Sequence, residues 1–186
     1  MISPPASAPG ALPAPTPEEF EPSRRLEAVI RREIEAAGGA LPFARFMELA
    51  LYAPGLGYYS GGRQKFGAGG DFVTAPELGR VFARCLARQC AEVLAATGGD
   101  ILEAGAGSGA LAAELLLELE RLGQLPAHYV VLELSGELRA RQQATLSERA
   151  PQLAGRVEWI DALPAAGFRG VILGIRTARA VEDVFR

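Results

Sequence analysis

The sequence predicts an α/β fold: a parallel sheet of about four strands with helices on its faces, preceded by a helical region. Three observations carry this reading. Asp100-Ile-Leu-Glu-Ala-Gly-Ala-Gly-Ser-Gly109 runs from an apolar pair into three glycines, and a helical stretch, Ala110 to Leu122, follows directly. A strand, a tight glycine turn and a helix N-terminus are where such sheets hold nucleotide-like ligands. Short apolar strands then recur at Tyr129–Leu134, Val157–Ile160 and Gly170–Gly174, with a polar helix from about Gly136 to Arg149. Alternation of this kind implies parallel strands with helices on both faces. The third observation is bulk composition: 186 residues, 49% of them hydrophobic, are enough to bury a core as one domain.

Composition also excludes several classes. A net charge of −3 gives no electrostatic reason to expect nucleic acid or an anionic membrane as a partner. No apolar run is long enough to span a bilayer, and the N-terminus lacks the pattern of a signal peptide, so a cytoplasmic protein is expected. Cys85 and Cys90 sit in one predicted helix, badly placed for a disulfide, and the single histidine, His128, offers them no metal-binding company. Two buried thiols in a reducing compartment, and no metal, are the expectation.

Taken in order, residues 1–15 are a proline- and alanine-rich tail without periodicity, expected to be disordered. Thr16-Pro-Glu-Glu19 has the form of a helix start, with Pro22-Ser23 expected to kink or restart it. Leu26, Val29, Ile30 and Ile34 recur at helical spacing until Gly38-Gly39. A second helix, about Pro42 to Tyr52, carries Phe43, Phe46, Met47 and Leu51, which are read as core. Residues 53–71 then hold seven glycines with Tyr58, Tyr59 and Phe66 among them, a loop whose aromatic content favours function over a plain linker. It ends at Gly70-Asp-Phe-Val-Thr-Ala-Pro-Glu77. Thr74 and Glu77 form a capping box for a helix with an apolar face of Leu78, Val81, Phe82, Cys85, Leu86, Val93 and Leu94. Asp71 has no such local role and is assigned towards the site. The domain reading is a tail to 15, a helical cap with the glycine-rich loop at 16–99, the sheet domain at 100–174, and a separate tail at 175–186.

Two ligands compete for the glycine turn. Gly105, Gly107 and Ala110 satisfy the weak dinucleotide pattern G-x-G-x-x-G/A. Glu103, Gly105, Gly107 and Gly109 together satisfy the pattern for S-adenosylmethionine, with an acid two residues ahead of glycines at every second position. A carboxylate beside a pyrophosphate is unfavourable, whereas the methionine ammonium gives Glu103 a counter-charge, direct or through water. Glu133, ending the second strand, suits two ribose hydroxyls in either reading. Asp161, ending the third, lies where an adenine amino group is expected. A solvated strand end is the plain alternative for both acids.

The longer phrases settle more. Pro42-Phe-Ala-Arg-Phe-Met-Glu-Leu-Ala-Leu-Tyr-Ala-Pro-Gly-Leu-Gly-Tyr-Tyr59, Gly70-Asp-Phe-Val-Thr-Ala-Pro-Glu77 and Leu102-Glu-Ala-Gly-Ala-Gly-Ser-Gly109 resemble the MidA-like family of S-adenosylmethionine-dependent methyltransferases, which includes the mitochondrial complex I assembly methyltransferase. The similarity runs from about residue 23 to 174. It implies a Rossmann-like class I methyltransferase sheet behind an N-terminal helical cap, S-adenosylmethionine as cofactor, and a protein arginine as acceptor, in some members on a respiratory complex subunit. On that reading Gly70, Phe72 and Thr74 join the cofactor side, and Tyr58, Tyr59 or Phe72 faces the sulfonium or the substrate by cation–π attraction. Asp71 and Glu77 are the candidates to hold the substrate guanidinium.

After Gly174 the resemblance stops. The family continues as Gly-Asn-Glu-x-x-Asp-Ala-Leu-Pro, and this chain as Ile175-Arg-Thr-Ala-Arg-Ala-Val-Glu-Asp-Val-Phe-Arg186. The break looks like a frameshift or a truncated gene. Its expected consequences are an unpaired edge at Val171-Ile-Leu173, self-association and weak or absent catalysis. A non-catalytic cofactor-binding fragment and a nicotinamide-dependent oxidoreductase remain as alternative readings.

Overall fold

The computed structural model describes residues 16–62, 80–164 and 167–174. The chain divides into two compact units, residues 1–61 and 62–186. In the first, α1 (Pro17–Ala36) and α2 (Phe43–Tyr52) are joined by Arg45, whose guanidinium reaches Glu33 on α1 at 3.0 Å and Glu48 one turn ahead at 2.9 Å. The expected break at Pro22 does not occur, and α1 runs through it as one helix. Pro22 lies in the second turn, where the missing N–H costs one intrahelical bond near an end already short of them.

A second expectation is corrected on α2. Phe43 is 69% exposed and stacks on the exposed Phe46, while the buried side chain of the helix is Leu49. The glycine-rich loop, read as structureless, starts as a compact turn. Tyr58 and Tyr59 N–H donate back to the carbonyls of Ala50 and Leu51, and the rings of Tyr52, Tyr58 and Tyr59 pack on one another.

The second unit holds α3 (Arg80–Thr97), β1 (Asp100–Ala104), α4 (Ala110–Arg121), β2 (Tyr129–Leu132), α5 (Gly136–Arg149), β3 (Val157–Ile160) and β4 (Gly170–Gly174). All three pairings are parallel and the strand order is β3-β2-β1-β4. Winding therefore proceeds outward from β1 through β2 to β3, then reverses to place β4 on the other side of β1.

Alternation along the strands sorts their side chains into two faces. Ile101, Tyr129, Val131, Val157, Trp159, Val171 and Leu173 share one face and form a single cluster with Ala87, Cys90 and Leu94 of α3, Leu115, Leu116 and Leu119 of α4, and Leu146 of α5. α3, α4 and α5 each contribute buried side chains to this cluster, while Leu102 and Ala104 on the opposite face of β1 are buried as well. Ile172, on the opposite face of the edge strand, is 41% exposed.

The apolar face assigned to α3 is corrected in part: Leu94 is buried and Leu86 packs against the core as expected, and Leu78 lies outside the described residues. Val81, Phe82, Cys85 and Val93 are exposed, and the buried residues are Ala83, Ala87, Cys90 and Leu94. Small residues face α4, itself lined by Ala112 and Ala113, because close helix approach needs short side chains. Of the two thiols, Cys90 is buried, with its pKa pushed up to about 11 by desolvation, and Cys85 is exposed; both are free. Leu116→Ala is predicted to lower stability by about 2–5 kcal/mol and Phe43→Ala by less than about 0.5 kcal/mol. Urea unfolding midpoints check the contrast.

Candidate functional site at the strand C-termini

The site is built where β1 stops. Gly105, Gly107 and Gly109 all take left-handed φ values, 74°, 56° and 82°, which residues with a Cβ rarely adopt. This lets the chain leave β1, bond Gly105 N–H to the Leu132 carbonyl (3.2 Å), and enter α4 at Ala110. Gly109 is doubly constrained, since a Cβ there would lie 3.0 Å from the Cα of Gln142. The N–H of Ala110 donates to Ser108 Oγ at 3.4 Å, and the helix N-terminus that opens behind the turn favours an anionic group.

Glu103 is 1% exposed. Its Oε2 accepts a 2.7 Å hydrogen bond from the equally buried Tyr129 hydroxyl, and among the described residues Oε1 has no partner. Burial pushes its pKa up to about 7, against the opposing pull of the Tyr129 bond. Burial and the neighbouring carboxyl together hold the Tyr129 hydroxyl well above its ordinary value. A buried carboxyl with one orphaned oxygen is the signature of a group kept for a ligand or a proton.

Glu133 follows β2 and is tied to the end of β3 by its own N–H, which donates to the Ile160 carbonyl. Its Oε1 accepts from Ser135 N–H (2.9 Å) and its Oε2 from Gln142 Nε2 (3.2 Å). Burial raises its pKa; the Ser135 amide, the Gln142 amide, the Leu134 amide and the Arg139 charge oppose that rise. Two carboxylate oxygens offer about four lone-pair positions, so acceptor capacity remains for a diol. Asp161 is exposed just after β3. Gly70, Asp71, Phe72, Thr74 and Glu77 lie outside the described residues.

Sequence reasoning missed four participants: Tyr129, Ser135, Gln142 and Trp159. Gln142 carried a signal, because Leu138, Gln142 and Leu146 fall at i, i+4 and i+8, which puts a polar residue in the buried stripe of α5. The donor set fits S-adenosylmethionine: helix amides for a carboxylate, an orphaned buried carboxyl oxygen for an ammonium, and a buried acceptor pair for a ribose diol.

A parallel sheet with its glycine turn at the reversal of winding, and an acid closing the neighbouring strand, defines a Rossmann-like domain of the class I methyltransferase type. The family model described as "Putative S-adenosyl-L-methionine-dependent methyltransferase" matches residues 85–175. A COG1565 superfamily member from Burkholderia thailandensis, crystallised with S-adenosyl-homocysteine, superposes with a TM-score of 0.77 at 54% identity, covering 88% of this chain and 43% of that one. The mitochondrial protein arginine methyltransferases NDUFAF7 of Danio rerio and Homo sapiens are each 32% identical over 124 residues, covering 62% and 61% of this chain but 29% and 27% of those proteins. The chain thus spans less than half the length of these relatives. Over these stretches it is similar to S-adenosylmethionine-dependent methyltransferases, in agreement with the MidA-like resemblance of its sequence.

Glu103 yields a stability prediction with a definite sign. Its folded pKa, about 7, lies above the ordinary 4.5, so the folded state binds the proton more tightly. Stability from this group is fully present below about pH 4.5, falls as pH rises towards 7, and is then constant at a loss of about 3 kcal/mol. Glu103→Gln removes the titration. Measured by urea unfolding, its stability relative to wild type should rise steadily between pH 4.5 and 7 and level off above.

Proposed function

We propose that this chain carries the S-adenosylmethionine site of an enzyme that methylates protein arginine. The observation that carries the reading is Glu133, a buried carboxylate held at the end of β2 by two donors with acceptor capacity left for a diol. The glycine turn and the amides opening α4 accommodate the amino-acid end, and Glu103, lying under that turn, supplies the counter-charge to its ammonium. Asp161 is assigned to the adenine side. When bound, the cofactor supplies a methyl group on an electrophilic sulfonium. The protein has little covalent chemistry to add; its residues align the acceptor, exclude water and hold the guanidinium.

The dinucleotide alternative is the weaker one. A pyrophosphate at this turn would oppose ionisation of the nearby Glu103, whereas an ammonium favours it and gives the buried acid a reason to be there. The arginine acceptor rests on the names of the mitochondrial relatives; a respiratory complex subunit as the protein partner is proposed from the family resemblance of the sequence alone. Asp71 and Glu77 are the proposed guanidinium ligands, with Gly70, Phe72 and Thr74 on the cofactor side. Among the described residues no helix is long and apolar enough to cross a membrane.

Incubation with methyl-labelled S-adenosylmethionine and arginine-containing protein, followed by mass spectrometry, tests the reaction. Label on arginine is expected; label confined to another residue type overturns the acceptor. Asp71→Asn should lower kcat/KM by about ten- to a hundredfold, the worth of a charged hydrogen bond, while leaving cofactor affinity unchanged. Equal turnover by the variant removes Asp71 from the substrate site.

A further inference from the structure

Three strand ends meet at one side chain. Gln142, in the second turn of α5, is wholly buried, yet it donates from Nε2 both to the Gly107 carbonyl oxygen (3.1 Å) and to Glu133 Oε2 (3.2 Å). Its Oε1 accepts from the Trp159 indole N–H (2.9 Å). The partners dictate the orientation of the amide. A carbonyl and a carboxylate only accept and an indole only donates, so the reversed amide would face like with like at all three contacts. A Cβ at Gly109 would lie 3.0 Å from the Cα of the same residue, so a glycine there lets α5 pack closely against the turn.

We propose that Gln142 is the positioning residue of the cofactor site, fixing the glycine turn after β1, the acid after β2 and the indole on β3 as one unit. The proposal rests on the cofactor reading above and deepens it. Glu133 must present acceptors to two hydroxyls at a set angle, and its neighbours must not compete for the same lone pairs. Ser135 N–H takes one oxygen from behind and Gln142 the other. Gln142 also holds the Gly107 carbonyl, so the turn and the carboxylate cannot drift apart without breaking a buried hydrogen bond. Its action on the ligand is therefore indirect, through Glu133 and Gly107.

The chain contains a single tryptophan, and it is part of this network. Trp159 fluorescence therefore reads the site without any turnover. Titration of S-adenosyl-homocysteine into the wild-type chain, followed by fluorescence and calorimetry, is expected to give saturable binding with a change in emission. Gln142→Met keeps the volume and removes all three hydrogen bonds; affinity should fall about ten- to a hundredfold. In a Glu133→Gln background the same substitution should cost less than about threefold, because its route to the ligand has already been cut. Circular dichroism verifies folding. If Gln142→Met does not fold, Gln142→Leu, which also lacks all three hydrogen bonds and adds no charge, takes its place in the cycle with the same expected coupling.

Wild-type affinity in the Gln142 variant overturns the proposal. Equal losses in both backgrounds also overturn it, since they describe a general packing role. A wild-type chain that binds no S-adenosyl-homocysteine overturns the cofactor reading as well, which separates that failure from failure of Gln142 alone.

Discussion

The structure depends on β1 being paired in parallel on both sides. Its register with β4 runs the full length of the strand, from Asp100 opposite Gly170 to Ala104 opposite Gly174, and that with β2 from Ile101 opposite Tyr129 to Ala104 opposite Leu132. Two-sided pairing buries β1 entirely beyond its first residue, and it aligns the strand ends. The connections leave in opposite directions after β1 and before β4, so the chain beyond β1 has no strand-to-strand connection crossing above it. A crevice outside the carboxyl ends of the strands at such a reversal is the general binding position of open α/β sheets. The three left-handed glycines are the local consequence: the backbone must turn sharply there and still deliver α4 onto the core.

The two buried glutamates are treated differently, and the difference is informative. Glu133 has a donor on each carboxyl oxygen; these oppose the burial that still raises its pKa. Among the described residues Glu103 has one donor, on one oxygen, and burial drives it towards the protonated form near neutral pH. An apolar residue at position 103 would continue the β1 core with no such penalty. Keeping an acid there costs stability in the free protein, a cost that the ammonium proposed to lie near the carboxyl would offset. Tyr129 limits it meanwhile by supplying a hydrogen bond from within the core.

Much of this was legible in the sequence, for physical reasons. Strand limits at Val157–Ile160 and Gly170–Gly174, and the helix from Gly136 to Arg149, agree with the structure because apolar runs bounded by turn residues leave little freedom. The position of Glu133 at the end of β2 followed from the same pattern. The buried face of α3 did not. Hydrophobicity favoured Val81, Phe82 and Val93, while the helix packs through alanines because its neighbour α4 is close. Phe43 and Phe46 misled in the same way, as large apolar residues are not always inside. Gln142 was hidden for the opposite reason: a polar residue in a largely polar helix draws no notice until its neighbours Leu138 and Leu146 are seen to be buried.

The central claim is that the strand ends form a site for S-adenosylmethionine, and a calorimetric titration tests it most directly. S-adenosylmethionine and NAD would be titrated separately into the purified chain at neutral pH. Saturable one-site binding of S-adenosylmethionine, with no heat of binding from NAD, is the predicted result. Preference for NAD, or binding of neither, would contradict the account.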